Sequence, residues 1–264
     1  MPHRLITAIF LGLFLLTCSL LAAESDRPAA PAAELAAHLA AKQQGTAYIR
    51  VRMDIPGGTA NVLQLQIKSR VSRGNADLVY QVLFPKERKG EAVLLRRSGN
   101  RISGTLHTPN GAVRELGAAN FDEPLFGSAL SYEDVIDDFF GWSQQAIVGT
   151  DEIDHIACQI LESKPGKGRR SSYSSVRTWV DPNRLIPLRI EKYNDKGQLL
   201  RQIVVTRITL DGGDSIPVNL SVRDSRGLAT EIDGSRIKRG VAFTDAEFTP
   251  EGLKQITPPR GAPE

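Results

Sequence analysis

Cysteine and histidine are scarce in this chain, whose 264 residues include two cysteines and four histidines. If the N-terminal apolar segment that contains Cys18 is removed, Cys158 is the only thiol left and no internal disulfide can form. His38, His107 and His155 are scattered, and the sequence has no His-Glu-x-x-His, Gly-x-Ser-x-Gly or Gly-x-x-x-x-Gly-Lys motif. We therefore expect no catalytic residue, no metal site and no cofactor, and a buried structural role for Cys158.

A large excess of charge of one sign is also missing. The 33 basic and 30 acidic residues nearly balance, which argues against a nucleic-acid partner, because such a partner requires a concentrated basic face. One local basic cluster occupies a turn that contains glycine and proline, and its members are Lys164, Lys167, Arg169 and Arg170. This cluster is either the solvated tip of a hairpin or a contact for anionic lipid headgroups or an acidic partner.

Apolar runs long enough to cross a membrane are absent as well. The longest, residues 5–16, has twelve residues, whereas a spanning helix needs roughly 20. Arg4 precedes this run and small residues follow it, so residues 1–23 are predicted to be a signal peptide that is cleaved before Glu24. The alternative is lipidation at Cys18, but Thr17 occupies a position where lipoprotein signals usually have a smaller residue. We expect a soluble protein exported to the periplasm.

Residues 24–264 are predicted to form one domain, with flexible segments at 24–32 and 257–264. A short Pro/Ala linker at 28–31 precedes a predicted helix at 34–43, in which Leu35 and Leu39 lie four residues apart on one face. Gly45 is expected to end this helix.

Alternating apolar and polar residues, the pattern of half-buried strands, then fill most of the sequence. Short turns join the strands without intervening helices, which indicates an antiparallel meander. The predicted strands are 47–54, 63–68, 78–84, 91–97, 101–108, 153–161, 172–180, 185–193, 199–210, 216–223 and 228–237. On the first two strands the apolar face consists of Ala47, Ile49, Val51, Met53, Leu63, Leu65 and Ile67.

Residues 109–143 interrupt the strands with an aromatic-rich segment. Ser131 is a predicted N-cap, and Asp134 stands three residues later, as in a capping box. The helix predicted at 132–140 is amphipathic, and we expect its acidic residues to be solvated and to complement the helix dipole. These residues are Glu133, Asp134, Asp137 and Asp138. The apolar face of the helix either covers a core or closes over a cavity.

Four motifs, in this order and spacing, resemble the outer-membrane lipoprotein-sorting protein family. They are 126–134 (Phe-Gly-Ser-Ala-Leu-Ser-Tyr-Glu-Asp), 179–181 (Trp-Val-Asp), 187–189 (Pro-Leu-Arg) and 193–197 (Tyr-Asn-Asp-Lys-Gly). The similarity covers nearly all of residues 45–255 and is closest to periplasmic carriers such as the lipoprotein chaperone of the Lol pathway. It implies an α+β, mainly β fold: a half-open antiparallel β-barrel of about eleven strands with a helical lid.

The resemblance also implies a function and partners. A monomeric, non-enzymatic carrier would bind lipoprotein acyl chains or other lipids in an apolar cavity and transfer them between the inner and outer membranes. Its partners would be the lipid or lipoprotein cargo, an inner-membrane export pump and an outer-membrane acceptor. The alternative is a periplasmic regulatory subunit that senses lipids or envelope stress.

The ligand-binding residues are expected on the apolar strand face and on the lid. They are Ile49, Val51, Met53, Leu63, Leu65, Ile67, Phe126, Leu130, Ile136, Phe139, Phe140 and Trp142. We expect an apolar pocket on the order of several hundred Å³ between these two groups. In the family an arginine from the barrel holds the lid, and the candidates in this sequence are Arg50, Arg52 and Arg70.

Overall fold

Thirteen antiparallel strands in a single sheet dominate the computed structural model, which describes residues 29–57 and 61–258. The predicted signal peptide and Cys18 lie outside the described residues. The strands are β1 (Gly45–Asp54), β2 (Val62–Ser72), β3 (Asn75–Phe84), β4 (Ala92–Ser98), β5 (Arg101–His107), β6 (Val113–Leu116), β7 (Gln144–Ile153), β8 (Ile156–Lys164), β9 (Ser175–Asp181), β10 (Ile186–Tyr193), β11 (Leu199–Asp211), β12 (Asp214–Asp224) and β13 (Ala229–Arg239).

Two α-helices and several 3₁₀ turns complete the described part of the chain. The helices are α1 (Ala29–Lys42) and α2 (Tyr132–Ile136). The 3₁₀ turns are Lys86–Arg88, Ala118–Asn120, Leu125–Gly127, Phe139–Gly141, Asp245–Phe248 and Gly252–Lys254. Helix α1 begins earlier than predicted and buries Ala32 completely, so the expected flexible segment 24–32 is wrong for residues 29–32.

The order of strands places the two ends of the meander side by side. β1 pairs with β13 in the middle of the sheet, while β6 and β7 form its two outer edges. These edge strands are consecutive in sequence but do not pair, so the sheet is open. Residues 117–143, which we call the lid segment, connect one edge to the other. The predicted open, mainly antiparallel β fold is confirmed.

The predicted count of about eleven strands is two too low, because β6 and β7 were not recognised. β7 is polar at its start, leaves Val148 about half exposed and shifts register between Ile147 and Gly149. Its side chains alternate between exposed and partly buried, but its sequence shows no matching alternation of apolar and polar residues, so no period-2 signal indicated a strand. The predicted strand 153–161 is instead the end of β7, a turn through Asp154 and His155, and the start of β8.

Two clusters of buried side chains occupy the inner face of the sheet. The first joins β1–β5 to α2 and includes Met53, Leu63, Leu95 and Ile136. The second packs α1 against the 3₁₀ turn Phe139–Gly141 and strands β8 and β9. Period-2 alternation on β1 and β2 is confirmed, since Val51, Met53, Leu63 and Leu65 are all buried in the first cluster.

The segment that follows β13 covers part of the opposite face of the sheet. Phe248 and Leu253 pack on the outer side chains of β3 and β4 with no exposed surface. Beside them runs a buried chain of hydrogen bonds. Tyr48 donates to Gln66 at 3.0 Å, Gln66 donates to Gln81 at 2.8 Å, and Gln81 donates to the Leu253 carbonyl oxygen at 2.9 Å. Side chains are therefore buried on both faces of the sheet.

We predict that Leu253→Ala lowers the free energy of unfolding by roughly 2–5 kcal/mol, because it leaves a cavity under a fully buried side chain. The matched control is Leu210→Ala, since Leu210 is 72% exposed and its loss should change stability by about 0.5 kcal/mol or less. Urea denaturation of both variants measures the difference. Equal stabilities would contradict an outer core on β3 and β4.

Candidate functional site

An apolar cavity of about 1000 Å³ opens on the inner face of the sheet, beside the C-terminal end of α1. Its walls come from α1, the lid segment, the β9–β10 turn and strands β1, β2, β10, β12 and β13. The apolar lining residues are Leu39, Ala47, Ile49, Phe140, Leu185, Ile186, Pro187, Ile216, Pro217 and Ile237. At the rim, Lys42 and Asp214 form an ion pair of 3.6 Å. The cavity is therefore apolar inside and charged at its edge.

A row of three isoleucines crosses the middle of the sheet at this cavity. Ile49 on β1 stands opposite Ile67 on β2 and Ile237 on β13. All three are only partly buried, and Ile49 and Ile67 pack against the edge of the first core cluster. Ile49 and Ile237 line the cavity directly. Apolar surface left uncovered inside a concave site favours an apolar ligand, at about 25 cal/mol per Å².

The lid segment is built from short turns around α2. The side-chain oxygen of Ser131 accepts a hydrogen bond from the Asp134 N–H at 3.1 Å, and the Ser131 N–H donates to the Asp134 carboxylate at 2.7 Å. The predicted capping box is thus present. The predicted helix at 132–140 stops at Ile136 because the backbone of Asp137 is extended. Phe139 and Phe140 consequently lie on the separate 3₁₀ turn.

The prediction that Glu133, Asp134, Asp137 and Asp138 are solvated is wrong, because all four are engaged with neighbouring elements. The carboxylate of Asp134 is fully buried, 2.9 Å from Lys192 Nζ and 2.8 Å from Arg201 Nε. Tyr173 donates its hydroxyl to the same carboxylate at 2.7 Å. The Lys192 ammonium group also lies 5.4 Å from the centre of the Phe139 ring. Strands β10 and β11 therefore fix the lid through buried charges.

The electrostatics of this cluster keep Asp134 and Lys192 ionised. Burial alone would raise the pKa of Asp134, but Lys192 and Arg201 outweigh burial and lower it to about 2. Burial likewise acts to lower the pKa of Lys192, and Asp134 more than reverses this effect, so the pKa is raised. Each partner thus keeps the other charged at neutral pH.

The other acidic residues also have partners on neighbouring elements. Glu133 accepts hydrogen bonds from the Ser171 hydroxyl at 2.6 Å and the Ser172 N–H at 3.0 Å. Asp137 pairs with Arg169 at 3.1 Å. The β8–β9 loop is thereby attached to the lid segment. Arg169 of the basic cluster predicted at 164–170 therefore differs from the other members, because it holds the lid segment through Asp137.

Three arginines of the sheet form ion pairs with the lid segment. Besides Arg201 with Asp134, Arg114 on β6 pairs with Glu123 at 3.3 Å, and Arg97 on β4 pairs with Asp138. Arg97 is buried on the inner face, level with Ala76 and Ile102. The three arginines that the sequence offered for this role belong to β1 and β2, lie on the opposite face and do not contact the lid. Among their partners, Arg52 binds Asp54 at 2.9 Å, and Arg70 binds Asp77 at 2.8 Å.

The twelve residues predicted to bind ligand are distributed over three places. Ile49 and Phe140 line the apolar cavity. Phe139 and Trp142 pack with α1 in the second cluster. The remaining eight are buried in or packed against the first cluster: Val51, Met53, Leu63, Leu65, Ile67, Phe126, Leu130 and Ile136. Their contact with a ligand stays a prediction.

Sequence reasoning missed several lining residues of the cavity. Ile216 and Ile237 were recognised as strand residues, but their proximity to Ile49 depends on the pairing of β1 with β13. Leu185 lies in the β9–β10 turn with a positive φ of 52°, and nothing in the sequence indicates this conformation. The alternation of apolar and polar residues on β12 and β13 is the sequence signal that could have indicated that Ile216 and Ile237 face inward.

Other sequence predictions concern single groups. Cys158 is a buried free thiol, as predicted, and burial raises its pKa. Within residues 29–57 and 61–258, no group of histidine, cysteine and acidic side chains is arranged to hold a metal ion. In the same residues no helix has the length and hydropathy needed to cross a membrane.

Comparison with known proteins identifies similar sequences and folds. Residues 74–255 match the model of a family described as "Uncharacterized protein". A DUF1329 family protein from Desulfovibrio piger superposes with a TM-score of 0.79 at 23% identity, over 86% of this chain and 99% of that one. A search of curated proteins gives no match.

Two further solved structures carry names related to lipoprotein sorting. One is a putative outer membrane lipoprotein-sorting protein domain from Vibrio parahaemolyticus, with a TM-score of 0.77, 19% identity, and coverage of 86% of this chain and 100% of that one. The other is a LolA superfamily protein from Nitrosomonas europaea, with a TM-score of 0.64, 21% identity, and coverage of 84% and 97%. The resemblance inferred from the motifs is confirmed at the level of the fold.

We predict that Asp134→Asn lowers the free energy of unfolding by roughly 3–5 kcal/mol near neutral pH, because Lys192 and Arg201 stay buried without their counter-charge. The folded pKa of about 2 lies below the ordinary 3.8, so this stabilisation is present above about pH 4 and is lost as pH falls through about pH 2. The difference between wild type and variant should therefore shrink on acidification. Urea denaturation across this range measures it, with the exposed Asp195→Asn as control. A difference independent of pH would contradict the assignment.

A second prediction concerns the Arg97–Asp138 pair, whose side chains are 6% and 17% exposed. A double-mutant cycle with Arg97→Gln and Asp138→Asn should give a coupling energy of about 1–3 kcal/mol in unfolding. The same cycle on Arg52 and Asp54, which are 56% and 41% exposed, should give less than about 1 kcal/mol. Equal coupling in the two pairs would show that Arg97 does not hold the lid.

Proposed function

Because the chain belongs to the family whose model matches residues 74–255 and shares its fold with lipoprotein-sorting and LolA superfamily structures, we propose that it is a periplasmic lipid carrier. It acts without catalysis, binding an acyl chain of a lipoprotein or another lipid in the apolar cavity. It transfers this cargo between the inner and outer membranes.

The observation that carries the proposal is that Ile49 and Ile237, neighbours on paired strands, are only partly buried in the wall of a cavity of about 1000 Å³. Each CH2 group kept out of water contributes about 0.8 kcal/mol, so an apolar cavity offsets most of what a chain of a dozen carbons loses when it leaves the membrane interior. The volume is large enough for such a chain. Residues that merely fill a core would be fully buried, as Met53 and Leu63 are.

Release of the cargo requires part of the lid segment to move. α2 is fixed through Asp134, whereas Phe140 belongs to the separate turn Phe139–Gly141 and forms part of the cavity wall. We therefore assign the opening movement to this turn and to the end of α1 rather than to α2. The Arg97–Asp138 pair is the contact that such a movement would break.

The cellular setting of the proposal comes from the predicted signal peptide at 1–23. Export places the protein between two membranes, so a monomer would receive its lipid from an inner-membrane export pump and give it to an outer-membrane acceptor. The direct experiment is mass spectrometry of organic extracts from the protein purified out of the periplasm. A bound acyl lipid supports the proposal. Recovery of a membrane protein partner without any lipid would favour the regulatory alternative.

We predict that a charge placed in the cavity weakens binding of a fluorescent fatty-acyl probe at least about tenfold, because the carboxylate loses its hydration there. Ile49→Asp and Ile237→Asp test the floor, and Phe140→Asp tests the wall. Leu210→Asp is the control, since Leu210 is 72% exposed and does not line the cavity. Asp138→Asn is unsuitable as a control because Asp138 pairs with Arg97.

Circular dichroism must show that each variant keeps its fold. If Ile49→Asp and Ile237→Asp are folded and bind the probe as wild type does, the cavity is not the lipid site. If wild type binds no acyl probe at all, the carrier function is wrong.

A further inference from the structure

A second cavity, of about 750 Å³, lies between the β4–β5 turn and the β8–β9 loop, next to the lid segment. It shares no lining residue with the apolar cavity. Its two sides belong to strands that are far apart in the sheet order, and they approach each other through Arg169, whose guanidinium lies 3.4 Å from Asn100. The predicted basic cluster thus comes to face the β4–β5 turn, which the sequence did not indicate.

Three arginines line this cavity, and two of them have no acidic partner among the described residues. Arg96 is already engaged, since it pairs with Asp77 at 3.3 Å and donates to the Phe248 carbonyl oxygen. Arg101 and Arg170 are exposed side chains on opposite walls. Two guanidinium groups are therefore available to a ligand that enters between the walls.

Glu133, the acidic residue that lines this cavity, forms no ion pair with Arg101 or Arg170 among the described residues. Glu133 is buried, and its carboxylate accepts hydrogen bonds from the Ser171 hydroxyl and the Ser172 N–H. The remaining polar wall includes the hydroxyl groups of Ser98 and Ser103. Hydroxyl and guanidinium donors in one cavity form an environment suited to an anion with several oxygen atoms.

Apolar side chains complete the wall. Phe121 and Ile102 line the cavity and belong to the first core cluster, or pack against it, beside α2. A ligand held there would place its charged oxygens at the arginines and its carbon atoms on Ile102, which is only partly buried, whereas Phe121 is 2% exposed. That distribution matches the junction of a lipid headgroup, where a phosphate adjoins glycerol.

We propose that this second cavity binds a phosphate-bearing anionic headgroup, with Arg101 and Arg170 as the phosphate contacts. The identification of the ligand as a phospholipid rests on the proposed carrier function. The identification of a phosphate site does not depend on that function. A free phosphate ester presents the same chemistry to the two arginines, so the experiment must separate the two sources.

The test measures binding by calorimetry to monomeric dihexanoyl phosphatidylglycerol, to dihexanoyl phosphatidylcholine and to glycerol phosphate. We expect phosphatidylglycerol to bind more tightly than phosphatidylcholine, and Arg101→Gln/Arg170→Gln to weaken its binding about tenfold or more. The control is Arg223→Gln/Lys196→Gln, which removes the same charge from exposed positions outside the cavity. This control should bind like wild type, because a diffuse effect of net charge would weaken both double variants equally.

The outcomes separate this inference from the proposed function. Tighter binding of phosphatidylglycerol than of glycerol phosphate assigns the site to a lipid, and equal binding assigns it to a free phosphate ester. Equal loss in both double variants, or none in Arg101→Gln/Arg170→Gln, overturns the site. The fatty-acyl probe should bind this double variant as it binds wild type, so a failure here leaves the apolar cavity intact. Loss of probe binding in wild type would instead overturn the carrier function.

Discussion

The buried ion pairs of Asp134 with Lys192 and Arg201 fix the position on which the inner face of this protein depends. α2 has five residues, too few for an independently stable helix. Its place is determined by a carboxylate that cannot be buried without its two cations. Since Lys192 and Arg201 come from β10 and β11, the segment joining the two edges of the sheet is attached far from either edge.

This attachment explains the division of the inner space. With α2 fixed, its Ile136 completes the first core cluster, and the following turn carries Phe139 and Phe140 toward α1. The apolar cavity lies beyond that turn, where Ile49 and Ile237 are only partly buried. The polar cavity lies on the other side of the lid, beside Glu133. The apolar cavity and the arginine-lined cavity therefore lie on two sides of the segment that Asp134 holds in place.

The segment after β13 has a complementary effect on the other face. It buries Phe248 and Leu253 and joins the hydrogen-bond chain that begins at Tyr48. Lys68, although 2% exposed, pairs there with Glu247 at 3.1 Å. Strands β2, β3 and β4 are therefore held by packing on their inner face and by this segment on their outer face.

The sequence by itself determined which residues of β1 and β2 face inward, because strand alternation is a local property of the backbone. It also determined the capping box at Ser131 and the family resemblance, which depend on residues close together in the chain. Only the tertiary structure decided that Asp134 is buried rather than solvated, since its cations lie on distant strands. Strand pairing across the whole chain also decided that Arg97 pairs with Asp138, that β6 and β7 are edge strands, and that both cavities form. No local pattern in the sequence indicates which distant strands will pair.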